Sequence, residues 1–324
     1  MRIASIIGTR PQVIKAAALE PVLHSDLLID TGQHSDWELC GALFSELGLR
    51  VPDITLGGST GIMLDALTRL LRDEKPDVVL VYGDTDSTLA GALAGARLGI
   101  PVAHVEAGLR SFDRQMPEEV NRIVADHLAT WCFAPTDTAL GNLSSEGITG
   151  IRTGDLMQDL AADTVPWLKS STRPQNAPYA LATIHRAANR TPAAIAAWTA
   201  ILGDIPMSVL LPLHPGTAKV VGTLPDNVTV LPPQGYRESL RLQLHAAAVL
   251  TDSGGVQREA SWLGVPCLLL RDTTEWPDAN SFLVGLDRDL AVRMFAAVAD
   301  TTMRAGPLDI PHSGTASVIA AVLR

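Results

Sequence analysis

The sequence predicts an α/β protein made of two Rossmann-like domains, and three observations carry that expectation. Short apolar runs rich in β-branched residues alternate with longer helical patterns almost from end to end. The alternation breaks once, in a proline-rich stretch near the middle, and then begins again. At 324 residues the chain has room for two domains, at about 150 residues each.

The strand candidates, in order, are Arg2–Ile7, Asp77–Tyr82, Pro101–Val105, Tyr179–Ile184, Ser208–Leu211, Ala247–Thr251 and Val265–Leu270. Continuous apolar runs of this length between helices belong in parallel sheets covered on both faces. In LAGALAGARLG, glycines 91, 95 and 99 recur every fourth residue, a spacing that lets a helix lie close on a sheet. From Val165 to Pro178 the text reads VPWLKSSTRPQNAP, without periodicity, and is predicted to be a linker. The expected domains are therefore 1–165 and 179–305. SGTASVIAAVLR within 306–324 reads as a last helix that packs back on the first domain.

Composition narrows the function. Hydrophobic residues make up 47% and charged residues 19%, as in a globular enzyme. A formal charge of -10 and a pI near 5.2 argue against nucleic-acid binding, which needs a broad basic surface. No run approaches the ~20 apolar residues of a membrane span, so no membrane partner is expected. Cys40, Cys132 and Cys267 form neither a CxxC pair nor a disulfide framework, which fits a reducing cytoplasm. No His/Cys/Asp/Glu cluster has metal-ligand spacing, and no cofactor is expected. Dinucleotide, Walker and nucleophile-elbow motifs are absent as well.

In open parallel sheets, ligands bind beyond the carboxyl ends of strands. Those positions hold Gly8-Thr9-Arg10, Gly83-Asp84, His104-Val105-Glu106, His185-Arg186, His214 and Asp252-Ser253-Gly254-Gly255. Gly8-Thr9-Arg10-Pro11 either makes a plain strand-to-helix turn or offers free N–H groups, with Arg10 and Lys15, to a diphosphate. Ser253 either caps a helix or, with Gly254 and Gly255, brings backbone amides to a phosphate. Glu259, on the next turn, can accept from a ribose hydroxyl pair. Asp84 is an N-cap or an acid/base group, and Glu106 is a buried partner for Arg110 or another such group. Glu118 suits a helix start in any case. Three carboxylates at neighbouring strand ends nonetheless point to chemistry, because packing alone would not gather like charges.

GTRPQVIKAA, TGQH, VYGDTDSTLAGALA, HVEAGLRSFDRQMPEEVNR, TIHRAANR, LPLHPGT, LTDSGGVQREA and LRDTTEW follow in the order seen in non-hydrolysing UDP-N-acetylglucosamine 2-epimerases. The chain resembles that family over essentially its whole length. The resemblance implies two Rossmann-like domains in the GT-B arrangement, UDP in the cleft, and a homodimer. Gln12, TGDLMQD, HRAxN, HPGT and TEW are similar to the branch that epimerises UDP-2,3-diacetamido-2,3-dideoxyglucuronate. Ala188, Gly216 and Trp276 depart from the usual Glu, Arg and Arg. Of the segment that builds an allosteric site in bacterial members, only Gln33 and His34 match.

The activity implied is inversion at C2 of a UDP-2-acetamido sugar by elimination and re-addition of UDP. Inversion needs groups on both ring faces, and the resemblance assigns them to Asp84, Glu106 and Glu118. Arg10, His185 and the Ser253–Gly255 amides would stabilise the departing diphosphate. His214 joins the substrate-binding set, Gln234 matches a UDP-contacting position, and Ser239 matches one that meets uracil through its backbone. A hydrolysing 2-epimerase that releases free sugar and UDP, and a GT-B glycosyltransferase, remain alternatives.

Overall fold

Five consecutive buried residues, Ile3–Ile7, form the first strand, β1. In this computed structural model, residues 1–33, 37–213, 215–277, 280–299 and 308–324 are described. The chain divides into two compact units, one of residues 1–160 with 311–324 and one of residues 161–310.

In the first unit α1 (Arg10–Leu23), β2 (Leu27–Asp30), α2 (Trp37–Leu47), β3 (Ile54–Thr55) and α3 (Thr60–Glu74) follow β1. Then come β4 (Val78–Tyr82), α4 (Asp86–Arg97), β5 (Val102–Val105), α5 (Pro117–Leu128), β6 (Trp131–Ala134), α6 (Asp137–Ser145) and β7 (Gly150–Arg152). The strands pair in parallel in the order β3-β2-β1-β4-β5-β6-β7. The order reverses between β1 and β4, so a crevice opens beyond their carboxyl ends. Ala4, Ile6, Val79 and Val81 pack with Leu67 and Leu71 of α3 and Ala90 and Ala94 of α4. The helical glycines set how close α4 comes: a Cβ on Gly91 would meet Val81 at 2.8 Å, and one on Gly95 would meet Val102 at 2.9 Å. Gly99 lies beyond the end of α4 and faces open space, so only two of the three glycines serve the sheet.

The boundary between the units falls inside α7 (Leu156–Ser170). The predicted linker is therefore corrected: Val165–Ser170 is helical, and only the stretch after it is irregular. Val165 and Leu168 are buried. Their spacing continues an apolar face that the proline at 166 obscures in the sequence, and burial of that face outweighs its low helix propensity.

The second unit contains β8 (Tyr179–Thr183), α8 (Pro192–Asp204), β9 (Ser208–Pro212), α9 (Pro215–Ala218), β10 (Val228–Leu231) and α10 (Tyr236–Leu244). β11 (Val249–Thr251), α11 (Gly254–Trp262), β12 (Cys267–Leu269), β13 (Ser281–Leu283) and α12 (Arg288–Val298) complete it. Its sheet is also parallel, ordered β10-β9-β8-β11-β12-β13, with the reversal between β8 and β11. Trp198 and Ile201 of α8 and Phe295 of α12 fill its core against Val209, Leu211, Leu250 and Leu268.

The last helix, α13 (Thr315–Val322), belongs to the first unit and packs on α1. One carboxylate fastens its start: Asp159 accepts from Ser313 N at 2.6 Å, Ser313 Oγ at 2.8 Å, Gly314 N at 3.2 Å and Thr315 N at 2.8 Å. Asp159→Ala should cost about 2 kcal/mol, the scale of lost charge-assisted hydrogen bonds. Hydrogen exchange should show it as faster exchange of the α13 amides; unchanged protection there would refute this anchoring.

Candidate active site

Both reversal points carry the residues singled out in the sequence. In the first unit, Gly8 leaves β1 so tightly that a Cβ would stand 2.0 Å from Thr31 Oγ1 and 2.3 Å from Ser87 Oγ. Arg10, part-buried, opens α1. Gln12 is buried and accepts from Thr9 N at 3.2 Å. Its amide nitrogen donates to Tyr82 O at 2.8 Å, Thr85 Oγ1 at 2.9 Å and Thr88 Oγ1 at 2.9 Å. Lys15, predicted beside Arg10 as a phosphate cation, is buried and forms an ion pair with Glu106. Its ammonium also lies 3.1 Å from where a Gly83 Cβ would be, at a turn residue with φ of 64°.

Asp84, just past β4, is part-exposed and pairs with the buried guanidinium of Arg122. It does not cap α4, whose N-cap is Thr85. Glu106, just past β5, adopts φ of 69°, a left-handed conformation that costs a non-glycine residue on the order of 1–2 kcal/mol. Its alternative partner in the sequence, Arg110, pairs instead with Asp126 and Glu146, each at 2.7 Å. Glu118 sits half-buried in the first turn of α5 with no hydrogen-bond partner among the described residues. One turn on, Asn121 donates to Asp84 O at 3.0 Å, and Arg122 holds the Asp84 carboxylate. Residues i, i+3 and i+4 share a helix face, so Asp84, Glu106 and Glu118 gather at one end of one sheet.

Around this cluster lie residues the sequence reading missed. Glu119, buried, accepts from Ser111 N at 2.9 Å, Phe112 N at 2.8 Å and Arg122 Nη1 at 2.9 Å. This pins the loop before α5. Asp126, in the last turn of α5, lies 2.7 Å from His104 Nδ1 and accepts from Gly108 N at 3.0 Å and Arg110 Nη1 at 2.7 Å. Burial pushes its carboxyl up, but His104 and Arg110 outweigh that and hold it below the usual aspartate range. Arg110 similarly keeps Glu146 low. The usable signal was HVEAGLR with a carboxylate on the following helix, a pairing that only the fold discloses.

In the second unit, His185 follows β8 and is exposed at its side chain. Its backbone is fixed by the fully buried Asp252, which accepts from His185 N at 2.9 Å, Arg186 N at 3.0 Å and Asn189 Nδ2 at 2.7 Å. Ser253 caps α11, its Oγ accepting from Val256 N at 3.4 Å, while Gly254 and Gly255 open the helix. A Cβ on Gly254 would stand 3.0 Å from Glu275 Oε1, so this helix start is closely walled. Arg271, buried, binds Glu275 at 2.5 Å; burial draws its pKa below the ordinary value, and Glu275 opposes that. Trp276 stacks on Arg258, with the guanidinium 3.9 Å from the ring centre. Glu259 is buried and accepts from Gln243 Nε2 at 2.6 Å. Gln243 also donates to Ser239 Oγ at 3.4 Å, on α10. Gln234 is part-buried on the approach to α10 and donates to Pro232 O at 2.5 Å. His214 lies outside the described residues, as do His34, Ser35 and Asp36, whereas Gln33 accepts from Ser87 N at 3.0 Å.

Among the described residues, no group of three or more His, Cys, Asp or Glu could hold a metal ion, and no helix is long and apolar enough to cross a membrane.

Two parallel doubly wound units with loaded reversal points define a GT-B-class α/β protein. The model of the family described as UDP-N-acetylglucosamine 2-epimerase matches residues 21–306. A UDP-N-acetylglucosamine 2-epimerase homolog of Methanococcus maripaludis is 41% identical, over 89% of this chain and 90% of that one. The UDP-2,3-diacetamido-2,3-dideoxy-D-glucuronate 2-epimerase of Pseudomonas aeruginosa is 42% identical, over 90% of each. The solved UDP-GlcNAc 2-epimerase of Methanocaldococcus jannaschii, in complex with UDP-GlcNAc and UDP, superposes with a TM-score of 0.89 at 33% identity, covering 100% of this chain and 99% of that one. The chain belongs to the UDP-N-acetylglucosamine 2-epimerase family.

The buried Asp126 gives a pH expectation. Its folded pKa lies below the ordinary value of 3.8, so between the two the unfolded chain binds more protons. Its contribution to stability is complete above the ordinary value and is lost as pH falls through the folded one. Asp126→Asn should lower stability overall and flatten its fall in acid, followed by thermal unfolding from pH 5 downward. An equally steep acid slope in the variant would contradict this.

Proposed function

We propose that the protein epimerises C2 of a UDP-2-acetamido sugar, with the first unit supplying the proton chemistry and the second holding UDP. The observation that carries the reading is the gathering of Asp84, Glu106 and Glu118 at one sheet end, two of them paired with the buried cations Arg122 and Lys15. Family membership supports the substrate class.

The chemistry follows from the substrate. C2–H of an acetamido sugar is not acidic in itself. As the C1–O bond breaks, C1 becomes cationic, a carboxylate takes the C2 proton, and the C–H electron pair becomes the C1=C2 double bond. UDP leaves with the C1–O pair. Protonation of C2 from the other face, with return of UDP to C1, gives the epimer. Two acid/base groups are therefore required. We assign them to Asp84 and Glu106, with Glu118 in support or exchange.

The cations beside the acids have a second effect. Lys15 and Arg122 set a buried positive charge against each of Glu106 and Asp84, so the carboxylates are not gathered uncompensated. The departing diphosphate takes its stabilisation from Arg10, His185 and the amides at the start of α11, where a helix N-terminus favours an anion. Glu259, Gln234, Ser239 and His214 complete the nucleotide site. Lys15, held by Glu106, is reassigned from the phosphate to the acids.

A second reading concerns the sugar. Gln12 and the 42% identical Pseudomonas aeruginosa relative support UDP-2,3-diacetamido-2,3-dideoxyglucuronate as the alternative sugar nucleotide, while the 41% identical Methanococcus maripaludis homolog supports UDP-N-acetylglucosamine. We infer further that the chain works as a cytoplasmic homodimer. Ile62 at 58% and Phe112 at 80% exposure offer apolar contact surface, and the buried positions of Cys132 and Cys267 suit a reducing compartment.

Each sugar nucleotide, incubated with the protein in D2O and followed by NMR, tests the proposal. The true substrate acquires deuterium at C2 and gives the 2-epimer, without steady growth of free UDP. Asp84→Asn should lower that exchange by at least ~100-fold, the weight of an acid/base group, and leave UDP binding within a few-fold. Free UDP rising in step with free sugar would make the protein hydrolytic. Unchanged turnover in the variant would remove Asp84 from the reaction.

A further inference from the structure

The turn that carries Asp84 is held in an unusual way. Three successive carbonyls, at Tyr82, Gly83 and Asp84, each receive a hydrogen bond from a side chain on a different element. Gln12 of α1 donates to the first at 2.8 Å and Asn121 of α5 to the third at 3.0 Å. The middle one accepts from His104 Nε2 at 2.7 Å. His104 is wholly buried on β5, and its other nitrogen meets Asp126 Oδ1 at 2.7 Å.

The partners decide what the ring carries. A backbone carbonyl only accepts, so Nε2 bears a hydrogen. The other ring nitrogen faces Asp126, which Arg110 and Gly108 N hold in place. His104 is therefore a rigid link between a fixed carboxyl group and the peptide next to Asp84. Nothing in the reaction proposed above uses it directly.

We propose that His104 is a positioning residue for Asp84, setting the height of the Gly83–Asp84 peptide through its Nε2–H. The inference rests on the proton-transfer role proposed for Asp84. Proton transfer at carbon needs close approach, and a misplacement of ~1 Å is worth about 100-fold in rate. Substrate binding, which draws on other groups, is indifferent to it.

Two isosteric variants separate positioning from mere core stability. In His104→Asn the amide nitrogen takes the place of Nδ1, so the bond to Asp126 is kept and the donor to Gly83 O is lost. In His104→Gln the amide nitrogen takes the place of Nε2, so the donor to Gly83 O is kept and the bond to Asp126 is lost. The expected result, in C2 deuterium exchange with whichever sugar nucleotide the wild type accepts, is a fall of about 100-fold in kcat for His104→Asn. KM and UDP affinity should stay within a few-fold, and His104→Gln should retain kcat within about tenfold of wild type. A loss as deep in His104→Gln as in His104→Asn, an unchanged kcat in His104→Asn, or a loss confined to KM would overturn the inference.

Crystal structures of the two variants read the same claim without turnover. Asp84 should shift by about 1 Å in His104→Asn and keep its place in His104→Gln. An unmoved Asp84 in His104→Asn overturns the inference even where the wild type epimerises. A wild type that exchanges no C2 hydrogen with either sugar nucleotide refutes the proposed function, and the crystal structures then still decide the role of His104.

Discussion

The first unit is organised around carboxylates brought together at the carboxyl ends of β4 and β5 and at the start of α5. Like charges in one place are unfavourable, and the surrounding structure answers that cost with buried cations. Lys15 reaches Glu106 from α1, Arg122 reaches Asp84 from α5, and Arg110 with His104 neutralises Asp126 beneath them. Removing one partner from such a pair leaves an uncompensated buried charge, which is far more costly than the pair is stabilising. The set therefore behaves as a unit, and it fixes α1, β4, β5 and α5 relative to one another.

The second unit solves a similar problem with one acid. Asp252 is fully buried, yet three donors from the segment after β8 converge on it, so the loop bearing His185 is tied to the strand that leads into Ser253 and α11. The carboxylate is structural, and the groups it places are the functional ones. In both units the reversal of strand order creates the opening, and a buried polar group beneath it sets the loop geometry. Asp126 and Asp252 can be buried there because each is held by three polar partners.

Much of this was legible in the sequence. Each predicted strand lies over an observed one within two residues, because a fully buried parallel strand reads as an unbroken apolar run. The strand-end residues were legible for the same reason, being charged or glycine where apolar text stops. Short strands such as Ile54–Thr55, and edge strands with mixed text such as Val228–Leu231, gave no such signal. The helical course of Val165–Ser170 was hidden by Pro166, whose local meaning is overridden by burial of the residues beside it. Asp126, Glu119 and Arg122 read as the polar face of an amphipathic helix. Their burial comes from the loops and strands folded over α5, which no window along the chain contains.

The central claim is that the sugar's C1–O bond breaks and re-forms while the acids of the first unit exchange the C2 hydrogen. It is tested most directly with a sugar nucleotide carrying 18O in the bridge between C1 and phosphorus. Reversible cleavage frees that oxygen to rotate into a non-bridging position of the β-phosphate before UDP returns. Phosphorus NMR should therefore show the label scrambling at a rate no slower than C2 deuteration. Deuterium entering C2 while the label stays in the bridge would contradict the account.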